Sequence, residues 1–405
     1  MNETTRYLQS LPDPAAIEVA RLVNCIVLDA VAAGASDIHL EPWESTIVVR
    51  VRLAGVLQEL VHLPLDLIDK IAARLKVMAN LISYVTDLPQ EGHVPASPEF
   101  GDVELRISAM PTVRGEKIVI RIFDTRNRSF NIADLGFESD SLHQLLRLLA
   151  RPNGLILFTG PTGCGKTTAI YAALTHIVNL HGPTISLSTV EDPVEFSLPM
   201  ISQAQINVAK EFTYAKALRS LMRQDPQVIM IGEIRDPETA SIAVQAGLTG
   251  HLVISTVHAG STAGVFARMI HMDIEPFLLA SAIAGVLGLR LIRTVCPDCG
   301  EPYRPEPSLL KYLPAEAIDA ADLRHGRGCP RCLTTGYGGR SALTEMMVVD
   351  DVLRDAVLQK LPTRALQNVA VEQGMHTLWQ NGLQRVIKGQ TTIEEVLRVL
   401  AADAF

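Results

Sequence analysis

The chain has no surplus of positive charge. Its 36 Lys and Arg stand against 44 Asp and Glu, a formal net charge of −8. That argues against a nucleic-acid binder held by bulk electrostatics, though not against a local basic patch, and no direct nucleic-acid partner is expected. No apolar leader is expected: MNETTRYLQSLPDP is polar and has no apolar core, so no secretory signal is expected. Internal repeats and low-complexity tracts are absent. A true membrane span is missing too. Thr239 to Ala267 contains no Asp, Glu, Lys or Arg, but Gln245, His251, His258, its glycines and a Thr-Gly-His break fit a buried strand with flanking helices. Phe277 to Leu289 is apolar but too short to span. These absences lead to the expectation of a soluble, cytoplasmic protein that meets a membrane only through partners. Cysteine is scarce, and two of the six, Cys25 and Cys164, stand alone.

What is present describes a folded, multidomain chain. Apolar residues make up 48% and charged residues 20% of 405 positions, enough for about two to four domains. Residues 15–34 carry apolar positions at helical spacing, closed by Gly34. Strand patterns follow at Ser36–Glu41, Thr46–Leu53, Val56–Val61, Val103–Ile107 and Lys117–Phe123. An amphipathic helix is predicted over Asp69–Ile82. Residues 1–125 therefore read as an α+β domain, and the polar stretch 126–138 as a connection. From 139 to 294 strands and helices alternate as in an α/β sheet domain. A cysteine-bearing element spans 295–345, and 346–405 is helical, with Thr392 and Glu395 spaced as a capping box.

The most informative stretch is Thr159-Gly-Pro-Thr-Gly-Cys-Gly-Lys-Thr-Thr168. Gly160, Gly165, Lys166 and Thr167 have the spacing of a phosphate loop, with Pro161, Thr162, Gly163, Cys164 and Thr168 completing it. A strand-type run precedes it and an apolar helical face follows. The glycines let backbone N–H groups converge on a phosphate, and the next helix offers its positive N-terminus. Lys166 can reach the β- and γ-phosphates of ATP, and the Thr167 hydroxyl can ligate Mg²⁺.

A nucleotide hydrolase also needs an acid at a strand end. Val228-Ile-Met-Ile-Gly-Glu233 supplies Glu233, with Gly232 where many such motors have Asp. Glu191, Asp192 and Glu195 cluster after the strand Thr184–Leu187. One can act as general base and another can bind Mg²⁺ through water; a solvated acidic loop is the alternative. His251 and His258 bracket a predicted strand and can sense the γ-phosphate, bridge to the acids or be structural. Arg106, Arg121, Arg219, Arg223, Arg235, Arg290 and Arg293 carry charge of the kind phosphoryl transfer uses, and each taken singly fits a surface or salt-bridge role. Cys296-x2-Cys299 and Cys329-x2-Cys332, 29 residues apart, offer four thiolates in two pairs. Structural Zn²⁺ is expected there; redox or disulfide pairing stays open.

GPTGCGKTT, TVEDPVEF, LMRQDPQVIMIGEIRDPETA, TGHLVISTVH and the paired CxxC motifs together resemble the secretion ATPases of the GspE/PulE/PilB family, from about Ala35 onward. The resemblance implies a RecA-like P-loop NTPase domain (139–294) preceded by a PAS-like N2 domain, with a zinc element and a helical C-terminus. It implies a Mg²⁺-dependent, homo-hexameric ATPase. Such an enzyme sits peripherally at the cytoplasmic side of the inner membrane, docked on a platform protein, and powers type II secretion or type IV pilus assembly. It raises Glu191, Asp192, Glu195 and His258 to ATP-site residues and brings Arg106 and Arg121 to the nucleotide. The tetracysteine is similar to that of assembly and secretion motors; retraction motors typically lack it. There are departures from the family pattern. Ala54 and Glu91-Gly-His93 stand in the N2 motifs, Ala259-Gly260 follows His258, and Cys164 takes a place where serine is common. The chain also resembles a short form lacking most of the N-terminal docking domain. The alternatives are a DNA-uptake or conjugation motor, or an inactive nucleotide-gated subunit, the latter opposed by Lys166, Thr167 and Glu233.

Overall fold

The computed structural model describes residues 3–13, 16–123, 130–314 and 321–400, in two compact units that divide after Arg128. In the first unit, strands β1 (Asp37–Pro42), β2 (Thr46–Leu53), β3 (Val56–Pro64), β4 (Gln90–Ser97), β5 (Val103–Thr112) and β6 (Gly115–Phe123) form one antiparallel sheet in the order β3-β2-β1-β6-β5-β4. Period-two alternation sets its faces. Ile38 and Leu40 of β1, Leu105 and Ile107 of β5, and Ile118 and Ile120 of β6 turn inward. Helices α1 (Glu3–Ser10), α2 (Val19–Ala32) and α3 (Ile68–Met78) belong to this unit, and α2 and α3 bury Leu22, Ile26, Ile71 and Leu75 in the same core.

Gly34 closes α2 as its spacing predicts. It adopts a left-handed φ of 69°, while Gly34 N donates to Val31 O and Ala35 N to Ala30 O, the paired bonds of a Schellman cap. Two expectations shift. α3 stops at Met78, Asn80 turns left-handed, and Ile82 is 50% exposed. Gln90 holds that exposed loop by donating to the carbonyls of Ile82 and Val85. Strand β4 has no sequence signature, because Gly92 and Pro95 interrupt it; it is an edge strand, where proline is tolerated.

The second unit is built on a seven-stranded sheet. Its strands are β7 (Gly154–Thr159), β8 (Leu187–Glu191), β9 (Ser202–Gln205), β10 (Val228–Ile231), β11 (Leu252–Thr256), β12 (Ile283–Val295) and β15 (Tyr337–Val348). They run in the order β15-β12-β7-β11-β10-β8-β9, all parallel except β15. The β7 and β10 residues alternate between two cores. Leu155, Leu157, Ile229 and Ile231 pack with α6 (Tyr214–Leu221), α7 (Pro237–Leu248), α8 (Thr262–Ile270) and α9 (Pro276–Ala282). Ile156, Phe158, Val228 and Met230 pack with α4 (Ser139–Leu149) and α5 (Lys166–His181). Helices on both faces make this the doubly wound α/β arrangement expected from alternating elements.

Part of the stretch read as a connection packs into this unit. Phe130 lies edge-on to Tyr171, Ile132 is buried, and Arg385 hydrogen-bonds both Glu138 and the carbonyl of Gly136. A two-stranded sheet, β13 (Gly300–Pro302) with β14 (Arg324–Gly326), lies between the cysteine pairs. The cysteine-bearing segment emerges from the β12–β15 pair, which shares the main sheet.

Four helices follow: Asp351–Leu358, Thr363–Glu372, Leu378–Ile387 and Ile393–Leu400. Only half of the expected capping box forms at the last one. Glu395 N donates to Thr392 Oγ1, but the Glu395 carboxylate turns to Arg293 and Arg398. The complete box is Thr377 with Gln380. Burial acts to raise the Glu395 pKa, yet the Arg398 and Arg293 hydrogen bonds prevail and hold it below the ordinary carboxylate range. Its stability contribution is therefore complete above the unfolded value of about 4.3 and is lost as pH falls through the lower native value. Urea melts of wild type and Glu395→Gln are expected to differ at neutral pH and to converge in acid; a pH-independent difference contradicts this. Among the described residues no helix is long and apolar enough to cross a membrane.

Candidate functional site

β7 ends at Thr159, and the chain turns through Gly160–Gly165 into α5. Gly160 has φ 146°, and a Cβ there would meet Leu289 O at 2.5 Å and Cys164 Sγ at 2.7 Å, so the turn admits only glycine. Lys166 Nζ donates to the carbonyls of Gly160 (2.7 Å) and Pro161 (2.9 Å), folding back over the loop. Thr162, Gly163, Gly165, Lys166, Thr167 and Thr168 line one wall of a cleft of about 460 Å³. Cys164 does not. It is 4% exposed in the core beneath the loop, and burial pushes its thiol pKa up. Only its backbone remains to face a phosphate, and its side chain is protected from oxidation rather than exposed to it.

The opposite wall comes from the C-terminal ends of neighbouring parallel strands, where ligands bind in such sheets. β8 delivers Glu191, Asp192 and Glu195, with a cis peptide between Asp192 and Pro193. β10 delivers Glu233, and β11 delivers His258. The carboxylates differ in kind. Glu191 is 3% exposed, and both its oxygens are engaged: it accepts from Tyr171 Oη, from Thr189 Oγ1 at 2.6 Å and from Gln203 Nε2 at 3.0 Å. A carboxylate with its lone pairs filled this way orients its neighbours. Glu233 keeps access to the cleft. Arg235 pairs with one of its oxygens, and His258 Nε2 lies 3.6 Å from the other.

His251 stands apart from these residues. β11 runs parallel to β7, so His251 stands at its N-terminal end, away from the cleft that His258 joins. Its Nδ1 lies 3.2 Å from Ala246 O at the end of α7, a structural role. Arg106 and Arg121 face each other in register on β5 and β6 of the first unit. Arg121 Nε is 3.1 Å from Asp37 Oδ1, and the Arg106 guanidinium lies over the Phe123 ring.

Several cleft residues have no sequence signal of their own. Arg340 arrives from β15, beyond the cysteine pairs. Tyr214 opens α6, and Leu291 comes from β12. Arg235 carries no more sequence signal than the other six arginines, and its ion pair with Glu233 distinguishes it. Nonlocal strand order brings these together.

The four cysteine sulfurs converge away from this cleft. All lie within 4.8 Å of one another, with separations of 3.9 Å (Cys296–Cys329), 3.8 Å (Cys299–Cys332) and 3.7 Å (Cys329–Cys332). A tetrahedral Zn²⁺ with bonds of about 2.3 Å needs sulfurs about 3.8 Å apart. All four are free thiols rather than disulfides. Burial acts to raise the Cys332 pKa, but the Cys329 and Gly336 N–H groups, 3.2 and 3.3 Å away, bring it down to about 6. The donor set fits a closed structural metal site.

A family profile described as "Type II/IV secretion system protein" matches residues 14–398. The chain is 41% identical over 381 residues to a type II secretion system protein E of Pseudomonas aeruginosa, covering 94% of this chain and 75% of that one. It is 40% identical over 394 residues to a type IV pilus assembly ATPase, PilB, of Thermus thermophilus, covering 96% and 44%. The fold is similar to that of the Legionella pneumophila ATPase DotB, with a TM-score of 0.70 at 18% identity, covering 97% of this chain and 98% of that one. It is also similar to the pilus retraction motor PilT with bound ADP, with a TM-score of 0.61 at 23% identity, covering 93% and 96%.

Proposed function

The chain belongs to the type II/IV secretion system protein family, and from that premise we propose that it is an ATP-hydrolysing motor of protein secretion or pilus assembly. The observation that carries this is the single cleft in which the phosphate loop meets Glu233, Asp192, Glu195 and His258. The loop N–H groups and the α5 N-terminus hold the phosphates of ATP. Lys166 leaves its two loop carbonyls to reach the β- and γ-phosphates. Mg²⁺, when bound beside Thr167, neutralises phosphate charge. Glu233 accepts the proton of the attacking water, His258 and Arg235 orient that carboxylate, and Glu191 braces the acidic loop. Asp192 and Glu195 hold waters at the cleft's edge. Arg106 and Arg121 of the N2-like unit carry further positive charge of the kind phosphoryl transfer uses.

Zn²⁺ on Cys296, Cys299, Cys329 and Cys332 staples the segment that leads into β15 and so to Arg340. The working form is a homo-hexamer on the cytoplasmic side of an inner membrane, docked on a platform protein of the machine. Purified protein tests the reading: Mg²⁺-dependent phosphate release from ATP is expected, and Lys166→Ala is expected to abolish it. Wild-type turnover no higher than that of Lys166→Ala refutes it.

A further inference from the structure

Gly232 stands where many such motors carry an acid, and the structure shows what uses that space. A Cβ at Gly232 would lie 2.8 Å from Tyr214 Oη, closer than real side chains approach; its next neighbours, Val190 O and Glu191 Cα, are at 3.4 and 3.5 Å. The missing side chain therefore admits the phenol to the strand end between β8 and β10. Tyr214 is well placed to stay there. It is the first residue of α6, behind the N-cap Thr213, whose Oγ1 accepts from Lys216 N. The ring is half-buried and lines the cleft with Glu191, Asp192, Glu233 and Arg235.

Among the described residues the phenol oxygen makes no hydrogen bond, unlike Tyr171, whose hydroxyl is committed to Glu191. Half-buried polar groups usually find partners. This one stands beside Gly232, in the cleft that Glu233 and Asp192 also line. Burial, followed by the charges of Glu233 and Asp192, pushes the Tyr214 pKa up, so the group stays a neutral phenol at any working pH.

Resting on the proposed ATPase activity, we infer that Tyr214 is a further catalytic residue that orients the attacking water. Its Oη accepts one hydrogen of the water, and Glu233 accepts the other. The water oxygen forms the new bond to the γ-phosphorus. The bond to the bridging oxygen breaks, its electron pair leaves with ADP, and the water proton passes to the Glu233 carboxylate. Tyr214 keeps its own proton throughout. Two fixed acceptors aim the lone pair of the water, where a single carboxylate leaves it free to turn.

Steady-state hydrolysis by the purified full chain tests this. In Tyr214→Phe, kcat is expected to fall about tenfold, the effect of one lost hydrogen bond in the transition state. KM for ATP and the melting temperature are expected to stay at wild-type values. Gly232→Ala is expected to lower kcat similarly, because the new methyl displaces the phenol. In a Tyr214→Phe background it is expected to cost little, since no hydroxyl remains to clash. Wild-type turnover with Tyr214→Phe kcat within twofold of it overturns the role of Tyr214 alone. So does an equal cost of Gly232→Ala in both backgrounds, which makes the glycine's role independent of the phenol. Absence of turnover in the wild-type chain overturns the parent reading and this one with it.

Discussion

Glu233→Gln is expected to lower ATP turnover by about two to three orders of magnitude while leaving nucleotide binding intact. The substitution keeps the shape of the side chain and removes its capacity to accept a proton. Glu233 is suited to that task by position. It lies just past the end of β10, after Gly232, is 13% exposed at the side chain, and has Arg235 on one oxygen and His258 near the other. The phosphates are held elsewhere, by the loop and Lys166, so binding survives. The contrast with Glu191 sharpens the expectation. Glu191→Gln removes a buried acceptor for Tyr171 and Thr189, and its first effect is on the shape and stability of the acidic loop. Phosphate release and binding of a fluorescent ATP analogue separate the two quantities. A Glu233→Gln turnover within about fivefold of wild type would sink the assignment.

The second large effect concerns the thiol cluster. One Zn²⁺ per chain is expected by metal analysis of the purified protein, and Cys296→Ser is expected to lose it. Structural zinc contributes directly to folding free energy. Loss of one of four thiolates is expected to cost roughly 3 kcal/mol or more, which in a unit of this size lowers the melting temperature by roughly 10 °C. The damage should begin between Cys296 and Gly336 and spread along the β12–β15 pair, because Cys296 N donates to Gly336 O and the pair continues from there. Faster hydrogen exchange in that segment would locate it. A metal-free wild-type protein that melts like the metal-loaded one contradicts the zinc reading. The alternative of disulfide pairing predicts protection from thiol reagents, which four free thiols around a metal lose on chelation.

Much of the site is legible along the chain because the chemistry is local there. A phosphate loop needs left-handed turns and N–H groups pointing inward, so its glycines fall at fixed spacing and are read off directly. Two CxxC pairs are equally local, each pair offering sulfurs on one turn. The α2 cap at Gly34 is a single-residue signal. Where reading fails, the missing information is nonlocal. β4 escapes notice because Gly92 and Pro95 break its pattern, and its strand character comes from pairing with β5. Ile82 keeps the helical period, yet the backbone reverses at Asn80 before that period can continue. The Thr392–Glu395 spacing is right for a capping box, but Arg293, about a hundred positions earlier, competes successfully for the carboxylate.

The histidines give the clearest division. His251 and His258 bracket one strand, and in the linear order nothing separates their claims. Local sequence alone specifies the phosphate loop, the acid at 233, the thiol pairs and the α/β alternation, since each rests on the geometry of a few consecutive residues. Strand direction and strand order settle the remainder. They put His258 in the cleft and His251 at the far end, saturate Glu191 from α5 and β9, and bring Tyr214, Arg235 and Arg340 to the same space. The physical reason is that a parallel sheet gathers the C-terminal ends of strands far apart in the chain, and hydrogen bonds formed there depend on neighbours that no short stretch of sequence contains.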